Sequence, residues 1–327
     1  MQRTAALVLT GGTIAAVAAL LVAPSGWAQT WPAKPVRIIV PFAAGGGTDI
    51  QARLLAKQFY AGTQQTFVVD NRASANGLIG VEAVARAAPD GYTLLFVSAS
   101  LSVNTTLYAK RLTFDPVKDL APVSWISSLP LVLVVHPSVP AKSVKELVAL
   151  TRRPNSKINA ASNSSGSTSH LALEMLKQMT GAQLVHIPYK GSGPAMTAVV
   201  GGEVDFVFST SLAAQPHIKS GRVRALAVTT AKPSSAFPDL PTMTSIYPGF
   251  EADNWYGLFF PAGTPKEVIA RMNAEALKAL KAPDLLEFMA REGADPVGST
   301  PEELGAQFRR EVERYAKVIR EANIQSE

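Results

Sequence analysis

Short β-rich runs alternate with helical segments along most of the chain, and this alternation constrains the fold more than any other feature. One series runs from about residue 33 to 100, and a second runs from about residue 131 to 228. Alternating strands and helices form mostly parallel sheets that are covered by helices on both faces. The sequence therefore predicts an α/β fold with two lobes and a ligand cleft between them.

The C-terminal part of the sequence is helical instead. The segments Thr264-Pro265-Lys266-Glu267 and Thr300-Pro301-Glu302-Glu303 each combine a capping residue, a proline at the first helical position and a glutamate at the third. A helical tail of this kind commonly packs back on the first α/β unit. We therefore expect the chain to cross between the two lobes more than once.

Two segments rich in proline, glycine and serine, 115–130 and 229–262, are the expected crossings. They divide the chain into its expected parts. The predicted organisation is a signal peptide at 1–28, lobe 1 at 29–127 and again at 251–327, and lobe 2 at 128–250.

The N-terminus has the pattern of a cleavable secretory signal peptide. Arg3 supplies a positive start, residues 5–23 are largely apolar, and Gly26 and Ala28 are small residues at the −3 and −1 positions. We predict cleavage after Ala28 and export to the periplasm. An uncleaved membrane anchor is the alternative, but the glycine pair at 11–12 interrupts the apolar stretch and argues against it.

Composition excludes several classes of function. The 327 residues include no cysteine, so disulfides, thiol nucleophiles and zinc–thiolate sites are ruled out. The net charge is +6, but the positive residues are dispersed and are not interleaved with aromatic side chains, so no nucleic acid partner is expected. A solvated basic surface is the favoured interpretation of this charge, and the alternative is a mild positive field that favours anionic ligands or an acidic partner.

Ligands of open α/β sheets bind where strands end and helices begin. The loop at 41–49 carries three consecutive glycines just before a helix, so uncovered backbone N–H groups and the helix dipole could hold a carboxylate or phosphate. It is neither a P-loop nor a G-x-G-x-x-G motif, and a tight turn without a ligand is the alternative. The candidates in this loop are Phe42, Ala44, Gly45, Gly46, Gly47, Thr48 and Asp49, of which Asp49 fits a helix start better than a general base.

Two further loops occupy equivalent positions in the second series. The serine-rich loop at 163–170 offers hydroxyl and backbone donors, although a flexible linker is the alternative. The loop at 189–193 could place a ring and a cation near an anion, although a solvent-facing Lys190 and a packed Tyr189 are the alternative. The candidates are Asn163, Ser164, Gly166, Thr168, Ser169, Tyr189, Lys190 and Gly191, together with the more weakly indicated Ser98 after the third strand.

Catalytic motifs are absent from the sequence. The four histidines show no i, i+4 pair, and there is no H-E-x-x-H or G-x-S-x-G segment, so no metal site, cofactor or nucleophile is predicted. His170 beside the serine-rich loop could serve a serine nucleophile, but capping or packing at the helix start is the favoured interpretation. An exported hydrolase therefore stays the weaker alternative.

The combined motifs resemble the substrate-binding proteins of tripartite tricarboxylate transporters, the Bug family. The resemblance covers nearly the whole mature chain. It is carried by WPAKPVRIIVPFAAGGGTD at 31–49, PDGYTLL at 89–95, PYKG at 188–191, PHIKSG at 216–221, RALAVT at 224–229 and PAGTP at 261–265.

This resemblance implies a type II periplasmic-binding-protein fold whose lobes close on a small carboxylate. It implies that the loops at 42–49 and 189–191 grip the ligand, with Ser98 and the 163–169 loop completing the pocket. The partner would be a membrane transporter with one large and one small integral subunit, served by a monomeric receptor. A signalling adaptor that presents its closed form to a membrane sensor is an alternative.

The chain departs from the family pattern near the expected pocket. A family histidine after the third strand is missing, since Leu101 occupies that region. Where many members have Phe-Asp-Asn, this chain has Phe208-Ser209-Thr210. Ser209 therefore joins the candidate ligand-binding residues, and the lost carboxylate disfavours a ligand with an amino group.

Overall fold

A computed structural model describes residues 31–42, 44–45, 47–74, 77–189 and 191–325 of the chain. The expected signal peptide at 1–28 and the candidate ligand-binding residues Gly46 and Lys190 lie outside the described residues.

The elements follow the alternation read from the sequence. In chain order they are β1 (Val36–Val40), α1 (Gly47–Thr63), β2 (Phe67–Asn71), α2 (Leu78–Ala85), β3 (Thr93–Ser98), α3 (Ser100–Leu107), α4 (Pro116–Asp119), β4 (Leu120–Leu129), β5 (Leu131–Val135), α5 (Val144–Thr151), β6 (Asn159–Ser162), α6 (Thr168–Thr180), β7 (Val185–Pro188), α7 (Ser192–Val200), β8 (Phe206–Thr210), α8 (Ser211–Lys219), β9 (Arg224–Val228), α9 (Met243–Ile246), β10 (Asn254–Pro261), α10 (Lys266–Ala279), α11 (Pro283–Glu292), β11 (Asp295–Pro296) and α12 (Pro301–Glu321).

The strands form two sheets. The first has the order β11-β4-β10-β3-β1-β2, and the second has the order β7-β6-β8-β5-β9. In the first, β1 pairs in parallel with β2 and β3, while β10 runs antiparallel between β3 and β4. In the second, β6 pairs in parallel with β7 and β8, while β5 runs antiparallel between β8 and β9.

The central strands are buried on both faces, as covered sheets require. All five residues of β5 are buried, and so are Leu94 to Ser98 of β3. Separate apolar clusters flank the two sheets, with Ile38, Leu94 and Phe260 in one of those beside the first sheet and Leu133 and Phe208 in one beside the second. Each sheet therefore has its own hydrophobic core.

The crossings between the sheets are shorter than the sequence indicated. Strand β4 occupies most of the segment 115–130, and only Pro130 separates it from β5. The return crossing spans 229–253 and ends where β10 begins. Proline is rare inside strands, so Pro122 hid the strand character of β4 in the sequence. The strand accommodates Pro122 at a register shift against β10.

Helix α12 packs on both cores. Its first half places Leu304 and Phe308 in a cluster beside the first sheet, and its second half places Tyr315, Val318 and Ile319 in a cluster beside the second. The sequence predicted packing on the first lobe and carried no indication of contact with the second. A helix of 21 residues is about 30 Å long, which is enough to reach both.

The two similar helix starts behave differently. Thr300 and Glu303 form the expected capping box, in which Thr300 Oγ1 accepts from the Glu303 N–H at 3.2 Å and Glu303 Oε2 accepts from the Thr300 N–H at 2.8 Å. The prediction for Thr264 is wrong. Its hydroxyl donates back to the Pro261 carbonyl at 2.8 Å, and α10 begins at Lys266 without a side-chain cap.

A buried charge cluster lies where the return crossing meets α12. Glu311 is fully buried, and its Oε2 accepts from Trp255 Nε1 at 2.7 Å and from Ser102 Oγ at 2.9 Å. Arg314 donates to Glu251 at 2.6 Å. Burial, reinforced by the nearby Glu311 carboxylate, raises the pKa of Asp253 well above its usual range.

We expect Phe308→Ala to lower the free energy of unfolding by about 3–5 kcal/mol, because it removes a buried ring that packs edge-on against Phe259. Urea denaturation measures the change. The exposed neighbour provides the control, since Arg309→Ala should stay within about 0.5 kcal/mol of the wild type. Equal losses in the two variants would contradict the packing described for α12.

Asp253→Asn should make the protein more stable than the wild type at neutral pH and above. A carboxyl whose pKa is raised by folding stabilises the fold at low pH and loses that contribution as pH rises through the raised pKa. Thermal melting at a series of pH values tests this, with the exposed Asp239→Asn as control. The wild-type decline with rising pH should weaken only in the Asp253 variant, and an unaltered profile would contradict the assignment.

Candidate ligand-binding site

Two of the sequence-predicted groups meet at the carboxyl edge of the first sheet. Strands β1 and β3 are parallel, with Ile39 opposite Leu95, so their ends lie side by side. Phe42 follows the end of β1, and Ser98 is the last residue of β3. The glycine-rich loop and Ser98 therefore converge, as the sequence led us to expect.

A polar network shapes the glycine-rich loop. The Gly45 N–H donates to Asp49 Oδ2 at 2.8 Å, and Arg53 Nε donates to the same oxygen at 3.0 Å. Arg53 Nη2 also donates to Asn71 Oδ1 at 3.1 Å, and Asn71 Nδ2 donates to the Phe42 carbonyl at 3.1 Å. Gly45 has a φ of 83°, a left-handed conformation that suits glycine. The loop is therefore held in one shape by its own neighbours.

Asp49 is the centre of this network. Burial would raise the pKa of its carboxyl, but hydrogen bonds from Arg53 and the Gly45 N–H outweigh it and leave the pKa below its usual range. The side chain is almost fully buried, and its charge is compensated inside the protein. This agrees with the helix-start role favoured over a general base.

Two residues missed by the sequence reasoning also lie at this edge. Tyr256 of β10 pairs with Ser98 and shares a side-chain hydrogen bond with Thr48. A Cβ built on Gly47 would lie 3.7 Å from the Tyr256 hydroxyl and 3.4 Å from Glu292 Oε2. Antiparallel β10 enters the sheet where the parallel strands end. The sequence carries no signal for this, because β3 and β10 are far apart along the chain.

The second sheet gathers the remaining candidates at its own edge. Ser162 pairs with Pro188 and Ala161 with Val207, so the residues that follow, Asn163, Tyr189 and Ser209, come to one side. The Gly191 N–H donates to the Asn163 carbonyl at 2.6 Å, and Gly191 has a φ of 110°. These bonds tie the 189–193 loop to the serine-rich loop.

The serine-rich loop is partly committed to structure. Ser167 caps α6, Thr168 is its first residue, and Ser169 Oγ donates to the Phe208 carbonyl at 2.6 Å. The Ser164 carbonyl accepts from Ser162 and Ser167 at 3.1 and 2.7 Å. Within the described ranges, Asn163 Oδ1 and Ser209 Oγ are buried without a hydrogen-bond partner. These two atoms keep their bonding capacity.

Two stacked histidines contact residues at the start of the serine-rich loop and within it. The rings of His170 and His186 stack with centroids 4.0 Å apart, and His186 Nε2 lies 2.6 Å from Ser162 Oγ. His170 Nδ1 accepts from the Gly166 N–H at 3.0 Å. Burial, with a contribution from His170, lowers the pKa of His186 to about 4. His170 therefore packs and orders backbone, in keeping with the interpretation favoured over a catalytic base.

The two edges approach each other. A Cβ built on Gly166 would lie 2.7 Å from the Leu107 side chain. The serine-rich loop therefore touches α3, the helix that follows β3 of the first sheet. A Cβ built on Gly293 would lie 2.6 Å from Ser211 Cβ, at the start of α8. Gly293 directly follows Glu292, which faces Gly47. Through Glu292 and Gly293, the glycine-rich loop and the start of α8 thus lie near each other, as a cleft between the two lobes requires.

This arrangement is suited to binding. It offers a helix N-terminus, main-chain N–H groups, hydroxyls and a side-chain amide, which are donors for an anion. Across the described part of the chain, no cluster of three histidine, aspartate or glutamate side chains could hold a metal ion. Over the same part, no helix combines the length and the apolar character needed to cross a membrane.

Residues 51–324 match the family model described as the tripartite tricarboxylate transporter family receptor, TctC. The chain belongs to this receptor family. BugT of Bordetella pertussis is 40% identical over 297 residues, which cover 90% of this chain and 91% of BugT. The resemblance to the Bug family is therefore confirmed.

Solved structures extend the likeness. The periplasmic binding protein BugD is 35% identical with a TM-score of 0.71, covering 91% of this chain and 100% of BugD. Rpa4515 of R. palustris, solved with adipate, is 34% identical with a TM-score of 0.73, covering 90% of this chain and 99% of that one. MatC of Rhodopseudomonas palustris, solved with malate, is 30% identical with a TM-score of 0.70, covering 88% of this chain and all of MatC.

These comparisons confirm the two-lobed periplasmic-binding-protein fold and the role of solute-binding receptor. The family consists of receptors that serve tripartite transporters, so the expectation of a receptor rather than an enzyme also holds. Its members include periplasmic binding proteins.

Asp49→Asn should lower the free energy of unfolding by about 1.5–3 kcal/mol, because it weakens charge-assisted bonds from Gly45 and Arg53. Since folding lowers the pKa of Asp49, wild-type stability should fall as pH drops through that lowered pKa. Urea denaturation between pH 3 and 7 tests both effects. A variant as stable as the wild type at pH 7 would contradict this role for the network.

Proposed function

We propose that this chain is a periplasmic receptor that captures a small organic carboxylate and delivers it to a tripartite membrane transporter. The observation that carries the proposal is the approach of two donor-rich edges, one from each sheet, across a single cleft. Adipate in Rpa4515 and malate in MatC are both dicarboxylates, which supports the same ligand class here.

The proposed mechanism is lobe closure without covalent chemistry. Main-chain N–H groups, hydroxyls and amide groups replace the water around the ligand carboxylate, and the ligand shifts the population toward the closed form. Asp49 keeps the glycine-rich loop in shape while its own charge is neutralised by Arg53. The proposed ligand-binding residues are Phe42, Ala44, Gly45, Gly46, Gly47, Thr48, Asp49, Ser98, Asn163, Ser164, Gly166, Thr168, Ser169, Tyr189, Lys190, Gly191 and Ser209.

The remaining organisation is proposed on the same basis. Residues 1–28 are a signal peptide that sends the chain to the periplasm, where it acts as a monomer without a nucleic acid partner. Lobe 1 comprises 29–127 and 251–327, and lobe 2 comprises 128–250. The passage between sheets at Pro130 and the start of β10 at Asn254 lie close to these boundaries and support them.

A thermal-shift screen of residues 29–327 tests the proposal. The panel contains aliphatic dicarboxylates and tricarboxylates, acidic amino acids and aromatic acids. A ligand at one hundred times its dissociation constant should add about 2.7 kcal/mol of stability. Silence across the panel, from a protein shown to be folded and ligand-free, would overturn the carboxylate assignment.

Asn163→Ala should weaken binding of the ligand found in that screen by about tenfold or more, because the Nδ2 amide group of Asn163 can donate to the ligand carboxylate and a hydrogen bond to a charged group contributes about 1.5–3 kcal/mol. Its Oδ1 has no partner among the described residues, so the fold should lose little. Calorimetric titration gives the affinity, and Lys219→Ala at the exposed far end of α8 is the control. Unchanged affinity would move the ligand away from the second edge.

A further inference from the structure

The cleft contains one carboxylate that the anion-binding role does not use. Glu292 is the last residue of α11, and its Oε2 lies 3.4 Å from where a Cβ on Gly47 would stand. The next residue, Gly293, touches Ser211 at the start of α8. The Glu292 carboxylate therefore lies beside the N-terminus of α1, and the residue that follows it lies against the start of α8.

The surroundings of Glu292 differ from those of Asp49. Among the residues that the structure describes, none forms a hydrogen bond or an ion pair with its carboxylate, and its charge acts on the nearby Tyr256 hydroxyl. Burial raises the pKa of its carboxyl, and the adjacent Arg291 only partly opposes this. The Arg291 guanidinium instead lies over the Phe288 ring, with 5.6 Å between Cζ and the ring centroid.

The absence of a side chain on Gly47 leaves room beside Glu292. A ligand carboxylate held by the start of α1 would therefore have the Glu292 carboxylate as its neighbour. Two neighbouring carboxylates repel each other. A ligand group that donates hydrogen bonds, placed between them, can bond to both carboxylates and offset this repulsion.

We propose that Glu292 is a specificity-determining residue, which selects carboxylates that carry an ammonium or hydroxyl group beside the carboxylate over plain dicarboxylates. This inference rests on the proposed carboxylate-receptor function. It also reverses the expectation drawn from Ser209. The carboxylate missing at that position is supplied from α11, on the opposite side of the cleft.

Two sets of matched ligands test the selection. Succinate, malate and aspartate share one carbon skeleton, and glutarate, 2-hydroxyglutarate and glutamate share another. The wild type should bind a donor-bearing member of one set at least about tenfold more tightly than the plain member, by calorimetric titration at pH 7.5. Tighter binding of the amino acid or of the hydroxy acid identifies which donor Glu292 receives.

Glu292→Gln is the diagnostic variant, and Glu287→Gln on the exposed side of the same helix is the control. The Glu292 variant should lose most of the preference, and it should bind the plain dicarboxylate at least as tightly as the wild type does. As the pH is lowered toward the raised pKa of Glu292, wild-type affinity for the plain dicarboxylate should rise relative to that of the variant, because protonation of Glu292 removes the repulsion. Far-ultraviolet circular dichroism and melting confirm that each variant is folded.

The outcomes separate the two proposals. If a plain dicarboxylate binds the wild type as tightly as its donor-bearing analogues, or if Glu292→Gln keeps the preference, the role of Glu292 is wrong while the receptor function stands. If none of the six ligands binds the wild type and the broader carboxylate panel is also silent, both proposals are overturned.

Discussion

The parallel pairing of β1 with β3 and of β6 with β8 fixes where the groups of the candidate site lie. Parallel strands end at the same edge of a sheet, so each pairing brings two loops together. The loops themselves are short and are tied to their surroundings, as the bonds from Asn71 to the Phe42 carbonyl and from Gly191 to the Asn163 carbonyl show. The site is therefore a product of strand register and needs little flexible chain.

Local signals in the sequence predicted much of this arrangement. The β-rich run Val36–Val40 and the capping box at Thr300 lie where the sequence placed them, and the glycine-rich loop opens a helix as expected. These features depend on residues within a few positions of each other. Periodicity and the spacing of a capping box are local properties, and sequence reasoning captures them well.

Contacts between distant segments were beyond that reasoning. Tyr256 and Glu292 join the glycine-rich loop only because β10 inserts beside β3 and because α11 ends against α8. The contrast between Thr264 and Thr300 has the same origin. The two helix starts are nearly identical in sequence. The Thr264 hydroxyl nevertheless donates to the Pro261 carbonyl and does not cap its helix. Such choices are decided by tertiary partners, which no short motif reveals.

Helix α12 has a mechanical consequence for the molecule. One helix contributes apolar side chains to clusters beside both sheets, so each sheet packs against a different half of α12. If either sheet moved away from α12, it would expose Phe308 beside the first sheet or Tyr315 beside the second. The proposed closure of the cleft therefore has to leave the packing of α12 in place while the two sheets turn relative to each other.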